Sequence, residues 1–169
     1  MAANRTAFTR LGLFAYALAI TVVVLDQLSK WWILSIHRLP ERISTEVLPI
    51  FSLTMVWNRG VSFGLFQAED AGRWLLAAFS FTVAIALAVW ARKVERRLTA
   101  LALGLVIGGA IGNLIDRVRL GAVADFLDFT RLGFPWVFNV ADSAITVGVI
   151  VLLIDSLLTP DPVKAKARS

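Results

Sequence analysis

Four apolar stretches divide this chain, and each is long enough to cross a bilayer. They run roughly over residues 11–36, 72–91, 98–117 and 137–158. At about 1.5 Å per residue, roughly 20 helical residues span a hydrocarbon core about 30 Å thick. Lipid offers backbone N–H and C=O groups no partner, so segments of this length must cross it as helices. Two of the stretches contain charge-free runs, Trp74–Ala91 and Leu98–Ile115. Composition agrees: the chain is 58% hydrophobic and 17% charged, where soluble domains average roughly 45–50% and 25%. The expected fold class is an all-α membrane protein, a four-helix transmembrane bundle formed by residues 1–169 as one integral membrane domain.

Arg5 and Arg10 precede the first stretch, as in a secretory leader, but that stretch runs on through Asp26-Gln-Leu-Ser-Lys30 without a small-residue cleavage site. It therefore reads as a retained helix. Basic residues cluster before helix 1, between helices 2 and 3 (Arg92, Lys93, Arg96, Arg97) and after helix 4 (Lys164, Lys166, Arg168). With four spans these clusters share a side, which the positive-inside rule assigns to the cytoplasm. The net charge of +5 is thus a topology signal. It forms no single stripe of the kind nucleic acid requires, so no nucleic-acid partner is expected.

The first outer connection, roughly 42–68, is rich in strand formers. Phe51 to Asn58 alternates in much of its length, Arg59-Gly60 reads as a turn, and Val61, Phe63 and Leu65 alternate again. The pattern predicts a short hairpin-like sheet whose apolar face rests on membrane lipid. Gly104, Gly108 and Gly112, spaced by four, make a flat ridge for close helix packing, within the bundle or between chains.

A charge at the centre of a membrane helix costs about 2.5–3.5 kcal/mol on insertion scales, so buried polar groups are candidates for function. Asp26 and Lys30 share a face of helix 1 at i, i+4 spacing. Asn113, Asp116 and Arg117 end helix 3, where Arg117 beside Asp116 suits an ionised anchor. Asp125 lies beyond, between apolar neighbours. Asn139 and Asp142 open helix 4, where Asn is a favoured cap and an acidic side chain suits the helix dipole. With no cysteine and one histidine, His37, thiol chemistry and histidine-based zinc sites are excluded, and neither a metal nor a cofactor is expected. The chemistry left is that of carboxylates. Two close aspartates share one proton: one activates a water, the other polarises a carbonyl and protonates the leaving amine. The candidates for the pair are Asp26, Asp116, Asp125 and Asp142. The alternatives are a proton-coupled transporter using the intramembrane carboxylates, a Ser–Lys peptidase using Lys30 with Ser29 or Ser62, and a structural subunit.

Five ordered blocks then carry a resemblance. They are Asp26-Gln-Leu-Ser-Lys30; Asn58-Arg-Gly60 with Phe63; Gly109-Ala-Ile-Gly-Asn113-Leu-Ile-Asp116-Arg117; Val123-Ala-Asp125-Phe126; and Phe138-Asn139-Val-Ala141-Asp142-Ser-Ala-Ile145. Over nearly its whole length the chain resembles the lipoprotein signal peptidases, the type II signal peptidases of bacteria. The resemblance implies a membrane aspartyl endopeptidase with four helices and a small extracytoplasmic β-cradle. It implies cleavage of prolipoproteins on the N-terminal side of a lipid-modified, diacylglyceryl cysteine, in the bacterial inner membrane, and inhibition by globomycin. It maps the catalytic pair onto Asp125 and Asp142. The supporting or substrate-binding positions are Asp26, Lys30, Asn58, Gly60, Asn113, Asp116, Arg117 and Asn139. Arg59 stands where family members often carry a small residue.

Overall fold

In a computed structural model of the chain, residues 8–60 and 69–158 are described. Four long helices form the bundle: α1 (Arg10–Trp31), α3 (Glu69–Ala91), α4 (Arg97–Leu120) and α5 (Val140–Leu158). A π-helical turn, Trp32–Ile36, prolongs α1, so its apolar span reaches Arg10–Ile36. All four are long and apolar enough to cross a membrane. Between α1 and α3 lie the short α2 (Leu39–Arg42) and strands β1 (Ser44–Leu48) and β2 (Phe51–Asn58). Between α4 and α5 lie β3 (Val123–Asp128), a 3₁₀ turn (Thr130–Leu132) and β4 (Val137–Phe138). The sheet thus gathers at the end of the bundle where α1 and α4 finish and α5 begins.

Helix α4 is the axis of the bundle. In its most apolar stretch 67% of residues are buried, against 28% or less in the other spans. Its glycines are the reason. A Cβ on Gly104 would lie 2.8 Å from the Ala15 carbonyl oxygen, one on Gly108 2.6 Å from Val22 Cβ, and one on Gly112 2.5 Å from Asp26 Oδ2. The ridge therefore packs within the bundle, against α1. Gly109 and Gly148 serve the same purpose between α4 and α5, where added carbons would meet Ala141 and Val106. Such small-residue contacts let backbones approach in a medium that gives no hydrophobic drive for helix association.

At the far end of the bundle Thr9 caps α1. Its hydroxyl accepts from Gly12 N (2.9 Å) and donates to the Val94 carbonyl (2.7 Å). There too, Asp155 of α5 accepts from Thr99 Oγ1 (2.5 Å) and pairs with Arg96 (2.8 Å), joining the start of α4 to the end of α5.

The sheet is antiparallel throughout, in the order β1-β2-β3-β4. Leu53 and Phe126 pack on Ile33 and Leu39, seating the sheet on the end of α1. Side chains alternate along a strand, so Asp125 points to the face opposite Phe126. The sequence pattern pairs β2 with a strand near 61–66. Those residues, with Phe63, lie outside the described residues, as do Arg5, Ser62 and the basic tail. Among the described residues β2 pairs instead with β1 and with β3, in register Val56 to Asp125. Periodicity marks a strand without naming its partner, and the partner here arrives from beyond two membrane helices.

Candidate active site

The close approach at Gly112 brings the Asp26 carboxylate of α1 against α4, one turn from Asp116. Lys30 lies between the two acids. Its Nζ is 2.8 Å from Asp26 Oδ2 and 2.8 Å from Asp116 Oδ2, and all three side chains are at most 3% exposed. Gln27 completes the bridge, its amide donating to Asp26 Oδ2 and Asp116 Oδ1, both at 3.1 Å. A buried ammonium holding two carboxylates leaves little capacity for proton transfer, so Lys30 is not the base of a Ser–Lys pair. Ser29 turns away and donates to the Asp26 carbonyl (2.7 Å).

Each acid spends further capacity on a backbone N–H. Asp26 Oδ1 accepts from Ala141 N (3.0 Å), in the first turn of α5. Asp116 Oδ2 accepts from Ala124 N (3.1 Å), in β3. Ala141 precedes Asp142 and Ala124 precedes Asp125. One lysine therefore fixes, through two carboxylates, the backbone beside both members of the candidate pair.

Two amides finish the site. Lys30 can only donate, so it faces the oxygen of the Asn113 amide (3.3 Å) and turns the Asn113 nitrogen toward Asp142 Oδ1 (2.7 Å). Asn139 is the N-cap of α5. Its Oδ1 accepts from Asp142 N (2.9 Å), and its own N donates to Asp142 Oδ2 (3.3 Å), a capping box closed by aspartate. The same side chain donates through Nδ2 to Asp125 Oδ1 (2.7 Å) and to Asn113 Oδ1 (3.2 Å). Asn139 is thus at once the helix cap and the bridge between Asp125 and Asp142. Its side chain holds the Asp125 carboxyl and its backbone N–H the Asp142 carboxyl.

Asp125 is 2% exposed. Burial, and after it the negative charge of Asp142, push its pKa up to about 6, against the pull of hydrogen bonds from Asn58 and Asn139. Asn58 is held for this contact by a tight turn, its Oδ1 accepting from Gly60 N (2.9 Å). Gly60 takes φ +80°, and a Cβ there would run into Leu76 of α3, so the turn requires glycine. Arg117 donates back to the Asn113 carbonyl (3.4 Å).

The described structure thus brings together all ten residues singled out from the sequence. It adds three features that sequence reading missed: Gln27, the N–H groups of Ala124 and Ala141, and Arg73. Arg73 caps the end of α4 by donating to the carbonyls of Arg117 and Val118, both at 2.6 Å. Gln27 adjoins Asp26 and was open to suspicion; the other contacts join residues too distant in sequence to signal each other. Among the described residues no cluster of His, Cys, Asp and Glu has the arrangement of a metal site.

Fold and site together define a polytopic membrane protein in which Asp26, Asp116, Asp125 and Asp142 converge at one end of the bundle. The family model described as signal peptidase (SPase) II matches residues 18–158, and the chain belongs to the signal peptidase II family. A Caulobacter vibrioides protein named lipoprotein signal peptidase is 56% identical over 154 residues, 90% of this chain and 92% of that one. A Methylorubrum extorquens protein of the same name is 48% identical, over 90% of this chain and 88% of that one. A solved structure, titled a bacterial membrane enzyme structure by the in meso method at 1.9 Å resolution, superposes with a TM-score of 0.72. It is 31% identical, covering 87% of this chain and 94% of that one.

Proposed function

We propose that the chain is a membrane aspartyl endopeptidase that removes signal peptides from lipid-modified prolipoproteins, with Asp125 and Asp142 as its catalytic pair. The observation that carries this reading is Asn139 at the mouth of the bundle, whose side chain donates to the Asp125 carboxyl and whose backbone N–H donates to the Asp142 carboxyl. Asp142, at the positive end of the α5 dipole with two N–H donors, is placed to act as the base. Asp125, buried and with its pKa pushed up to about 6, takes up the shared proton more readily than an ordinary carboxylate and acts as the acid.

In the reaction Asp142 takes a proton from water as the water oxygen attacks the scissile carbonyl carbon. Asp125 donates its proton toward the carbonyl oxygen, giving a tetrahedral diol. Asp142, which carries the proton taken from water, then returns it to the amine nitrogen of the modified cysteine, a transfer the sequence reading gave to the carbonyl-polarising acid; the C–N bond breaks, and the diol proton goes back to Asp125. The sheet covers the pair and lowers the local dielectric, which strengthens each of these contacts.

The whole chain works as one unit in the bacterial inner membrane. Both termini are cytoplasmic and the pair faces the outer side, because Arg92, Lys93, Arg96 and Arg97 lie at the opposite end of the bundle. The substrate's signal segment and the acyl chains on its cysteine then remain in bilayer lipid while the scissile bond reaches the mouth of the bundle. Globomycin is expected to compete for the same opening. Incubating purified protein with a diacylglyceryl-modified precursor tests the reading. Release of the signal peptide, blocked by globomycin, is the expected result; an intact precursor under conditions where the protein is folded would refute it.

A further inference from the structure

Beside Asp125 a cleft of about 500 Å³ opens between the end of β2 and the segment leading into β4. Its lining includes Asn58 and Arg59 on one side and Pro135 and Trp136 on the other, with Asp125 at its base. All of these residues lie outside the four spans. Trp136 is 65% exposed, a large apolar surface given to the opening. Its placement is not left to chance. Phe134 meets it edge-on at 5.3 Å, Phe134 meets Phe138 at 5.7 Å, and Phe138 stacks on Phe129 at 5.8 Å. Phe129 in turn lies 4.8 Å from Phe51 of β2. The ladder runs from the sheet to the rim of the cleft and passes through the residue before Asn139.

We infer that Trp136 is a specificity-determining wall of a subsite for the peptide residues that follow the modified cysteine. This rests on the peptidase reading above. The signal segment, on the N-terminal side of the scissile bond, must return into the bilayer, and so must the acyl chains. Only the segment beyond the cysteine leaves toward water, and a cleft built wholly outside the spans and continuous with Asp125 lies in its path. A rigid indole offers wide contact area there at a small cost in side-chain ordering. Aromatic anchors of this kind commonly dominate peptide contacts.

The test compares two synthetic diacylglyceryl peptides, one ending in an amide at the cysteine and one continuing for four residues, with detergent-solubilised full-length protein. Trp136→Ala is expected to lower kcat/KM for the longer peptide roughly tenfold more than for the shorter. Trp136→Phe is expected to recover most of that difference. Phe134→Ala, which removes the edge-on support, is expected to give a smaller loss of the same selectivity. If Trp136 is only an interfacial membrane anchor, both peptides lose equally or neither does, and the inference is overturned. Absence of wild-type cleavage of either peptide would instead overturn the peptidase reading, and this inference with it.

Discussion

Replacing Lys30 by methionine removes the cation that bridges Asp26 and Asp116, and its cost can be worked from the site. The ammonium is 2.8 Å from each carboxylate, and none of the three side chains is more than 3% exposed. At that depth no solvent replaces the lost partner. Breaking a buried ion pair from one side costs about 3–5 kcal/mol, because the other charge is left uncompensated. Here two acids are left facing each other, so the loss is expected at or above about 4 kcal/mol. A triple variant, Lys30→Met with Asp26→Asn and Asp116→Asn, removes every uncompensated charge and keeps oxygens able to accept from Ala141 and Ala124. It is expected to recover more than half of the lost stability, since replacing a whole buried ionic group is often near neutral. Reversible unfolding in mixed micelles, followed by tryptophan fluorescence, reads all three proteins. A loss below about 1 kcal/mol for Lys30→Met, as for an exposed pair, would refute the reasoning. So would a triple variant no more stable than the single one.

Gly112→Ala sets a methyl group 2.5 Å from Asp26 Oδ2, so α1 and α4 must part. Turnover is expected to fall at least tenfold, with a lowered unfolding midpoint, whereas Gly133→Ala, whose added carbon meets nothing within 4 Å but sits at φ +81°, should strain its own turn and lower the midpoint while sparing turnover. Asn139→Ala removes the α5 cap together with the bridge to Asp125. The cap alone accounts for about 1 kcal/mol of stability, so turnover is expected to suffer far more than folding, as parallel unfolding and single-turnover assays would show. The kcat/KM profile is expected to be bell-shaped. Asp125 must be protonated and its pKa is raised to about 6, so the active form persists up to that pH and is lost as pH rises through it. Substrate covering the cleft adds to burial and should move that limb higher in kcat than in kcat/KM. A profile flat from pH 4 to 9 would contradict the shared proton.

The spans were legible because lipid imposes one demand on every backbone group, and an uninterrupted apolar run is a direct record of it. The glycine ridge was legible as packing, though its partner, α1, was not, because spacing shows that a face is flat and not what lies on it. The strand nature of β2 could be read from alternation. Its pairing with β3 could not, since register between segments separated by two helices leaves no local trace. For the site, chemistry narrowed the candidates to aspartates by the lack of thiols and the single histidine, but the residues alone did not separate Asp116 from Asp125. The geometry places the two differently. Asp116 is spent on Lys30, Gln27 and Ala124 N, while Asp125 faces the cleft and shares Asn139 with Asp142. The Asn139 side chain that caps α5 also donates to Asp125, so the cap reading and the contact with the candidate pair fall on one residue.

Single-turnover cleavage of a lipid-modified precursor by Asp125→Asn and Asp142→Asn is the most direct test. Asparagine keeps the shape of the carboxyl group and loses the proton chemistry. The account predicts that each protein unfolds at nearly the wild-type midpoint and cleaves at least roughly a thousandfold more slowly. Cleavage within tenfold of wild type by either variant would contradict it.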